Sequence, residues 1–208
     1  MPFINMTKNF VFIGNARTGS TSVYKFLNEK CKNDKIIWED SLGAKPYLYH
    51  MSIQDTIKKY PFCKDYLFFC YVRNPYTRFI SSYFEFTVNK CHHVWSNELL
   101  NYKDFREFCL NFNDTEIKND IHFKPLSEQI KCDLSINLHV CRFENFSEDF
   151  NIVANIKNIP NQITVHSRKT KYSKQINDFY DEEMKTIIQN FYKDDFVNFN
   201  YSIDIINV

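Results

Sequence analysis

Two stretches of this chain gather the residue types that hold anions. The first is Gly14-Asn-Ala-Arg-Thr-Gly19-Ser-Thr21, which contains two of the chain's three glycines. A strand-like run, Asn9-Phe-Val-Phe-Ile-Gly14, leads in, and a helical pattern leads out. In that arrangement backbone N–H groups and a helix N-terminus cradle phosphate oxygens. Scarce glycines there mark a backbone that bends tightly or approaches a ligand closely. The spacing matches the phosphate loop G-x-x-x-x-G-K-[ST] at all but one position. Ser20 stands where a nucleotide kinase carries Lys, and the positive charge sits inside the loop at Arg17.

The second stretch is Val72-Arg-Asn-Pro-Tyr-Thr-Arg-Phe-Ile-Ser-Ser-Tyr83. Asn74 is placed to cap a helix that Pro75 opens, since proline lacks only an N–H that the first turn leaves unused. Tyr76, Ile80 and Tyr83 fall on one side of that helix, and Arg78, Ser81 and Ser82 on the other. Arg73 follows the apolar run Tyr66–Val72 directly, at the carboxyl end of a strand, where open α/β sheets bind ligands. A kinase would place a magnesium-holding Asp there. Arg73 with a serine hydroxyl and a helix N-terminus makes a monophosphate clamp; the plain structural alternative is an ion pair with Glu85 or Asp55.

The elements that must position these residues follow from periodicity. Strands are expected at 9–14, 35–38, 66–72 and 138–143, and helices at 20–32, 51–60, from Pro75 onward, 147–154 and 178–192, with 101–131 mostly helical or irregular. The wholly apolar run 66–72 suits a strand buried on both faces. Alternating strands and helices predict an α/β fold: a P-loop-like three-layer sandwich with a central parallel sheet flanked by helices, in one domain spanning 1–208. Hydrophobic residues make up 44% of the chain, with 21 Phe and 13 Tyr, so it buries a large core. The 26 basic and 25 acidic residues nearly cancel. That gives no global attraction to nucleic acid or anionic membrane, and any anion site is local. No apolar run reaches the roughly 18 residues of a membrane span, and the start lacks a signal-peptide pattern. Seven scattered cysteines without CxxC spacing read as free thiols. A soluble cytoplasmic protein is expected.

The two anion-holding segments resemble the two cofactor motifs of the PAPS-dependent sulfotransferase family, closest to its carbohydrate (heparan/chondroitin-type) branch. Further likenesses are His122-Phe-Lys-Pro-Leu-Ser-Glu-Gln129 with Cys132, Arg142-Phe-Glu-Asn-Phe-Ser-Glu-Asp-Phe150, and Tyr192-Lys-Asp-Asp-Phe-Val-Asn-Phe-Asn-Tyr201. The resemblance runs in order along nearly the whole chain. It implies that Arg17 with Thr18, Gly19, Ser20, Thr21 and Ser22 holds the 5′-phosphosulfate of PAPS, and that Arg73 and Ser81 hold the 3′-phosphate. Where the family often has Lys in the loop this chain has Arg17, a planar fork instead of a point charge. PAP is the implied product, no metal is required, and the acceptor is an alcohol, by branch a glycan hydroxyl.

An alcohol attacking sulfur needs a base, and histidine titrates in the right range. Among the six histidines, His50 lies between the second strand and a helix, where members of this branch often place theirs. His122 is the next candidate and alternatively contacts acceptor with Lys124 and Arg168. His139 reads as a core histidine in an apolar strand. His166 sits in the basic stretch 166–171. Cys91-His92-His93 suggests metal only weakly, because adjacent side chains diverge and no fourth ligand is evident. The expected mechanism is in-line transfer, with His50 as base and Arg17 stabilising charge on the leaving phosphate. Two other readings stay open: an atypical P-loop kinase, distinguished by magnesium dependence, and a relative that binds nucleotide without turnover. Oligomeric state is unreadable.

Overall fold

The computed structural model describes residues 2–38, 50–88, 95–163 and 176–205. Its elements are β1 (Phe3–Asn5), β2 (Phe10–Ile13), α1 (Ser20–Lys30), β3 (Ile36–Ile37), α2 (Ile53–Lys59), β4 (Leu67–Val72), α3 (Pro75–Thr87), α4 (Ser96–Leu99), α5 (Phe105–Asn111), α6 (Leu126–Gln129), β5 (Leu138–Arg142), α7 (Phe146–Lys157), α8 (Glu182–Phe191) and α9 (Lys193–Asn198). The chain divides into two units, Met1–Arg73 with Glu128–Ser167, and Asn74–Ser127 with Arg168–Val208.

The first unit carries a five-stranded sheet in the order β3-β1-β2-β4-β5, and the fold is mixed α/β with helices flanking this sheet. β2 pairs parallel with β4, and β4 with β5; β1 pairs antiparallel with both β2 and β3. One strand therefore runs against the other four, which corrects the expectation of an all-parallel sheet. The reason is a hairpin that the alternation of longer elements hides: β1 is only three residues and returns as β2 through the turn after Asn5. β4 is buried at all six positions, as its unbroken apolar run requires. On one face Phe10, Phe12, Phe69 and Tyr71 pack with Val23 and Leu27 of α1 and with Phe146, Phe150, Val153 and Ala154 of α7. Each Phe, Val or Leu among them contributes about 1.5–3 kcal/mol on removal from water.

In the second unit the aromatic content is used up in a core around α3, α5, α8 and α9. Phe79 lies at its centre, its ring within 6.3 Å of those of Phe105, Phe108, Phe112, Phe123 and Tyr192. Arg78, Ser81 and Ser82, expected on a polar side of α3, are buried with the rest. Arg78 and Ser82 serve the segment 121–127, whose backbone needs partners there. Arg78 Nη2 donates to Ile121 O (3.3 Å), Ser82 Oγ to His122 O (2.8 Å) and Tyr192 Oη to Phe123 O (2.5 Å). The Asp195 carboxylate accepts from the N–H groups of Leu126 and Ser127. Burial works against the Arg78 charge, and Tyr192, Asp195 and Asp120 favour it.

The single helix expected over 178–192 is broken into a 3-10 turn at Ile176–Phe179 and then α8. The Asp181 side chain accepts from Met184 N–H and starts a new helix there. Among the described residues no helix is long and apolar enough to cross a membrane.

Candidate functional site

β2, β4 and β5 are adjacent, parallel and in register, with Ile13 opposite Cys70, Cys70 opposite Val140 and Val72 opposite Arg142. Their carboxyl ends consequently share one edge. The loop 14–19 leaves β2 there, Arg73 follows β4, and Phe143 follows β5. Residues far apart in sequence meet as a result. Arg73 Nη1 donates to Arg17 O at 3.1 Å, and the Arg73 guanidinium carbon lies 4.3 Å from the centre of the Phe143 ring. The Asn15 side chain donates to Tyr71 O (2.9 Å), tying the loop a second time to the β4 strand.

The loop itself is tightly determined. Arg17 and Gly19 have φ of 63° and 80°, the left-handed region that glycine enters freely and arginine does not. Gly19 is needed for space as well, since a Cβ there would lie 2.8 Å from Phe146 Cε2 and 3.2 Å from Phe143 Cε2. Thr18 Oγ1 donates to Asn15 O (3.0 Å), so its hydroxyl is turned into the loop. Ser20 and Ser22 are buried, Thr21 is half-exposed, and Ser22 N–H closes the first turn on Gly19 O.

Electrostatics single out two helix starts. Among the described α-helices, α1 and α3 have no acidic residue in the first turn; the other seven each carry Asp or Glu. The positive ends of the α1 and α3 dipoles are thus left without carboxylates, a condition that suits an anion. α1 also begins without a side-chain cap. At α3 the Asn74 side chain accepts from Tyr76 and Thr77 N–H. Ser81, further along α3, is 2% exposed.

His50 Nδ1 lies 2.6 Å from Gly14 O. A carbonyl only accepts, so Nδ1 carries the hydrogen in this bond, and the basic lone pair of the neutral ring is on Nε2. His122 Nδ1 is 2.8 Å from Asp120 Oδ1, and the other oxygen of that carboxylate accepts from Trp95 Nε1. Lys124 is half-buried, with its N–H bonded to Asp120 O. His139 is a correction: it lies half-exposed on β5, the last strand in the sheet order, and not in the core. An apolar pattern cannot distinguish a central strand from a terminal one. Arg168, His166 and the Cys91-His92-His93 trio lie outside the described residues. Among the described residues no cluster of three or more His, Cys, Asp or Glu is arranged to hold a metal.

Three residues at this edge carry no site role in the sequence reading: Asn15, Tyr24 and Phe143. For Asn15 the loop pattern itself was the available signal. For Phe143 only its place after a parallel strand pointed this way, and for Tyr24 nothing did.

The sequence profile of the Sulfotransferase family matches residues 3–202. The chain belongs to that family and is a PAPS-dependent sulfotransferase, with PAPS as the sulfuryl donor. Comparisons with curated proteins and with solved structures returned no match. The residues at the strand edge fit an anionic nucleotide: a left-handed loop bearing Arg17, a helix start with neither side-chain cap nor carboxylate, and Arg73 bonded to the same loop.

Proposed function

We propose that this enzyme transfers the sulfuryl group to a carbohydrate hydroxyl, with His50 as the general base and without a metal. The observation that carries the reading is the His50 Nδ1–Gly14 O bond, which presents Nε2 as the proton acceptor from a ring tethered to the donor loop. In this reading Arg17 with Thr18, Gly19, Ser20, Thr21 and Ser22 holds the 5′-phosphosulfate, and Arg73 and Ser81 hold the 3′-phosphate. PAPS supplies a sulfuryl group on a good leaving phosphate. His50 Nε2 takes the acceptor's hydroxyl proton as the new O–S bond forms in line with the bond that breaks. Arg17 and the first-turn N–H groups of α1 stabilise the charge left on the departing phosphate.

His122 and Lys124 belong to the acceptor side, with Arg168 assigned there on its basic segment alone. The glycan acceptor is supported by the likeness of both motifs to the carbohydrate branch. Metal independence is supported by Arg73 standing at the strand end where a kinase carries its metal-binding Asp. We read 1–208 as one catalytic domain of P-loop-like three-layer type, since the family match runs through both units. A reducing compartment such as the cytoplasm is supported by the six described cysteines, all free thiols and five of them buried.

Thermal unfolding with PAP, and with ATP, each with and without Mg²⁺, tests the donor site. PAP at about 100 times its dissociation constant adds about 2.7 kcal/mol, or roughly 5–10 °C for a chain of this size. The expected outcome is a metal-independent shift with PAP and little with ATP; a shift only with ATP and Mg²⁺ makes the chain a kinase. His50→Ala then tests the base. Turnover of desulfated chondroitin or heparan is expected to fall by about 10²–10⁴ with the PAP shift kept, and undiminished turnover moves the role to another residue.

A further inference from the structure

We propose that Tyr24 is a positioning residue for His50, acting through Gly14; this rests on the reading of His50 as the base. Gly14 is held from both sides. Its N–H donates to Tyr24 Oη at 3.1 Å, and its carbonyl accepts from His50 Nδ1 at 2.6 Å. The direction of that carbonyl depends on the backbone dihedrals of a glycine, the residue with the widest range of them. Left unheld, the carbonyl swings, Nδ1 loses its acceptor, and the proton is free to move to Nε2, where it blocks the base.

Tyr24 is built to prevent this. Its ring packs edge-on against Phe12 (4.9 Å, 66°) and stacks on Trp38 (6.0 Å, 12°), so its hydroxyl has a fixed place above the loop. Burial pushes the phenol well above its ordinary value, with the Gly14 bond opposing more weakly, and the hydroxyl stays neutral. A neutral oxygen accepts the Gly14 N–H without bringing a negative charge into a loop that binds anions. The fit is mutual, because a Cβ at residue 14 would run into Tyr24 Oη, Cζ and Cε2. Gly14 and Tyr24 are therefore a matched pair: the glycine admits the ring, and the ring removes the freedom that the glycine brings.

Tyr24→Phe is the test, because it deletes one oxygen and keeps the packing. Long-range ¹H–¹⁵N NMR of the imidazoles reads the tautomer directly. His50 is expected as the Nδ1–H form in the wild-type enzyme and as a mixture with Nε2–H in the variant. With desulfated chondroitin as acceptor, kcat falls about tenfold, in keeping with a small loss of alignment. The KM for PAPS and the PAP-induced thermal shift are retained, which a general loosening of the loop would not allow. An Nε2–H tautomer in the wild-type enzyme, or an unmixed Nδ1–H tautomer in Tyr24→Phe, overturns the positioning role. His50→Ala with undiminished turnover instead overturns the base on which the proposal rests, and the tautomer measurement separates the two failures.

Discussion

The starts of α1 and α3 are alike in charge and opposite in construction. Neither has a carboxylate in its first turn. α3 is closed from within: Pro75 removes one N–H, and the Asn74 side chain takes those of Tyr76 and Thr77. α1 begins at a left-handed glycine with no side-chain cap. The first turn of α1 can therefore offer backbone donors to a ligand, while the first-turn donors of α3 are already taken. A helix start can thus be left open for an anion or be closed by its own residues. The positive φ of Arg17 fits the first case. A strained residue survives when its surroundings determine it, and here the Arg73 guanidinium holds its carbonyl.

The contrast breaks most visibly at Gly19. Gly19→Ala places a Cβ in a left-handed residue and 2.8 Å from Phe146 Cε2, and is expected to cost about 2–4 kcal/mol of stability. Denaturant unfolding measures it, and PAP should no longer stabilise what folds. A smaller effect is expected from Arg73→Lys, which keeps the charge and gives up the planar fork that reaches Arg17 O and lies over Phe143. PAP affinity should fall about 10–100-fold, in line with the 1.5–3 kcal/mol of a charged hydrogen bond, as titration calorimetry can read. Asn74→Ala sharpens the comparison from the other side. Loss of this cap costs about 1 kcal/mol of unfolding free energy, with PAP affinity within about twofold of the wild type, because that helix start is satisfied internally. A large loss of PAP binding in Asn74→Ala would erase the distinction between the two helices.

Much of this was legible in the residues themselves. The unbroken apolar run 66–72 read as a strand buried on both faces, and Leu67–Val72 is one; Asn74-Pro75 read as a helix start, and α3 begins there. Two glycines and an arginine between a strand and a helix already pointed to an anion loop, and the strand and helix are there. Less legible was β1, whose three residues carry too little period to register. The break before α8 was also missed, because the apolar spacing of 178–192 outweighed a local capping signal at Asp181. Arg78 and Ser82 were misplaced for a related reason: sequence periodicity puts charged and hydroxyl side chains outward. Here they turn inward to donate to the carbonyls of Ile121 and His122.

By itself the sequence determined which groups are chemically able to act: a glycine-bent loop with Arg17, Arg73 at a strand end, and histidines for a proton. Each of these is a local property, set by residue type and by neighbours a few positions away. Which of them meet was decided only by the tertiary structure. Parallel pairing of β2, β4 and β5 in register brings Arg73 to Arg17 O and to Phe143, across 56 residues of chain in the first contact. The Gly14 carbonyl reaches His50 across 36. No local pattern encodes such contacts, because they follow from strand register and from the packing that closes the long segments between them.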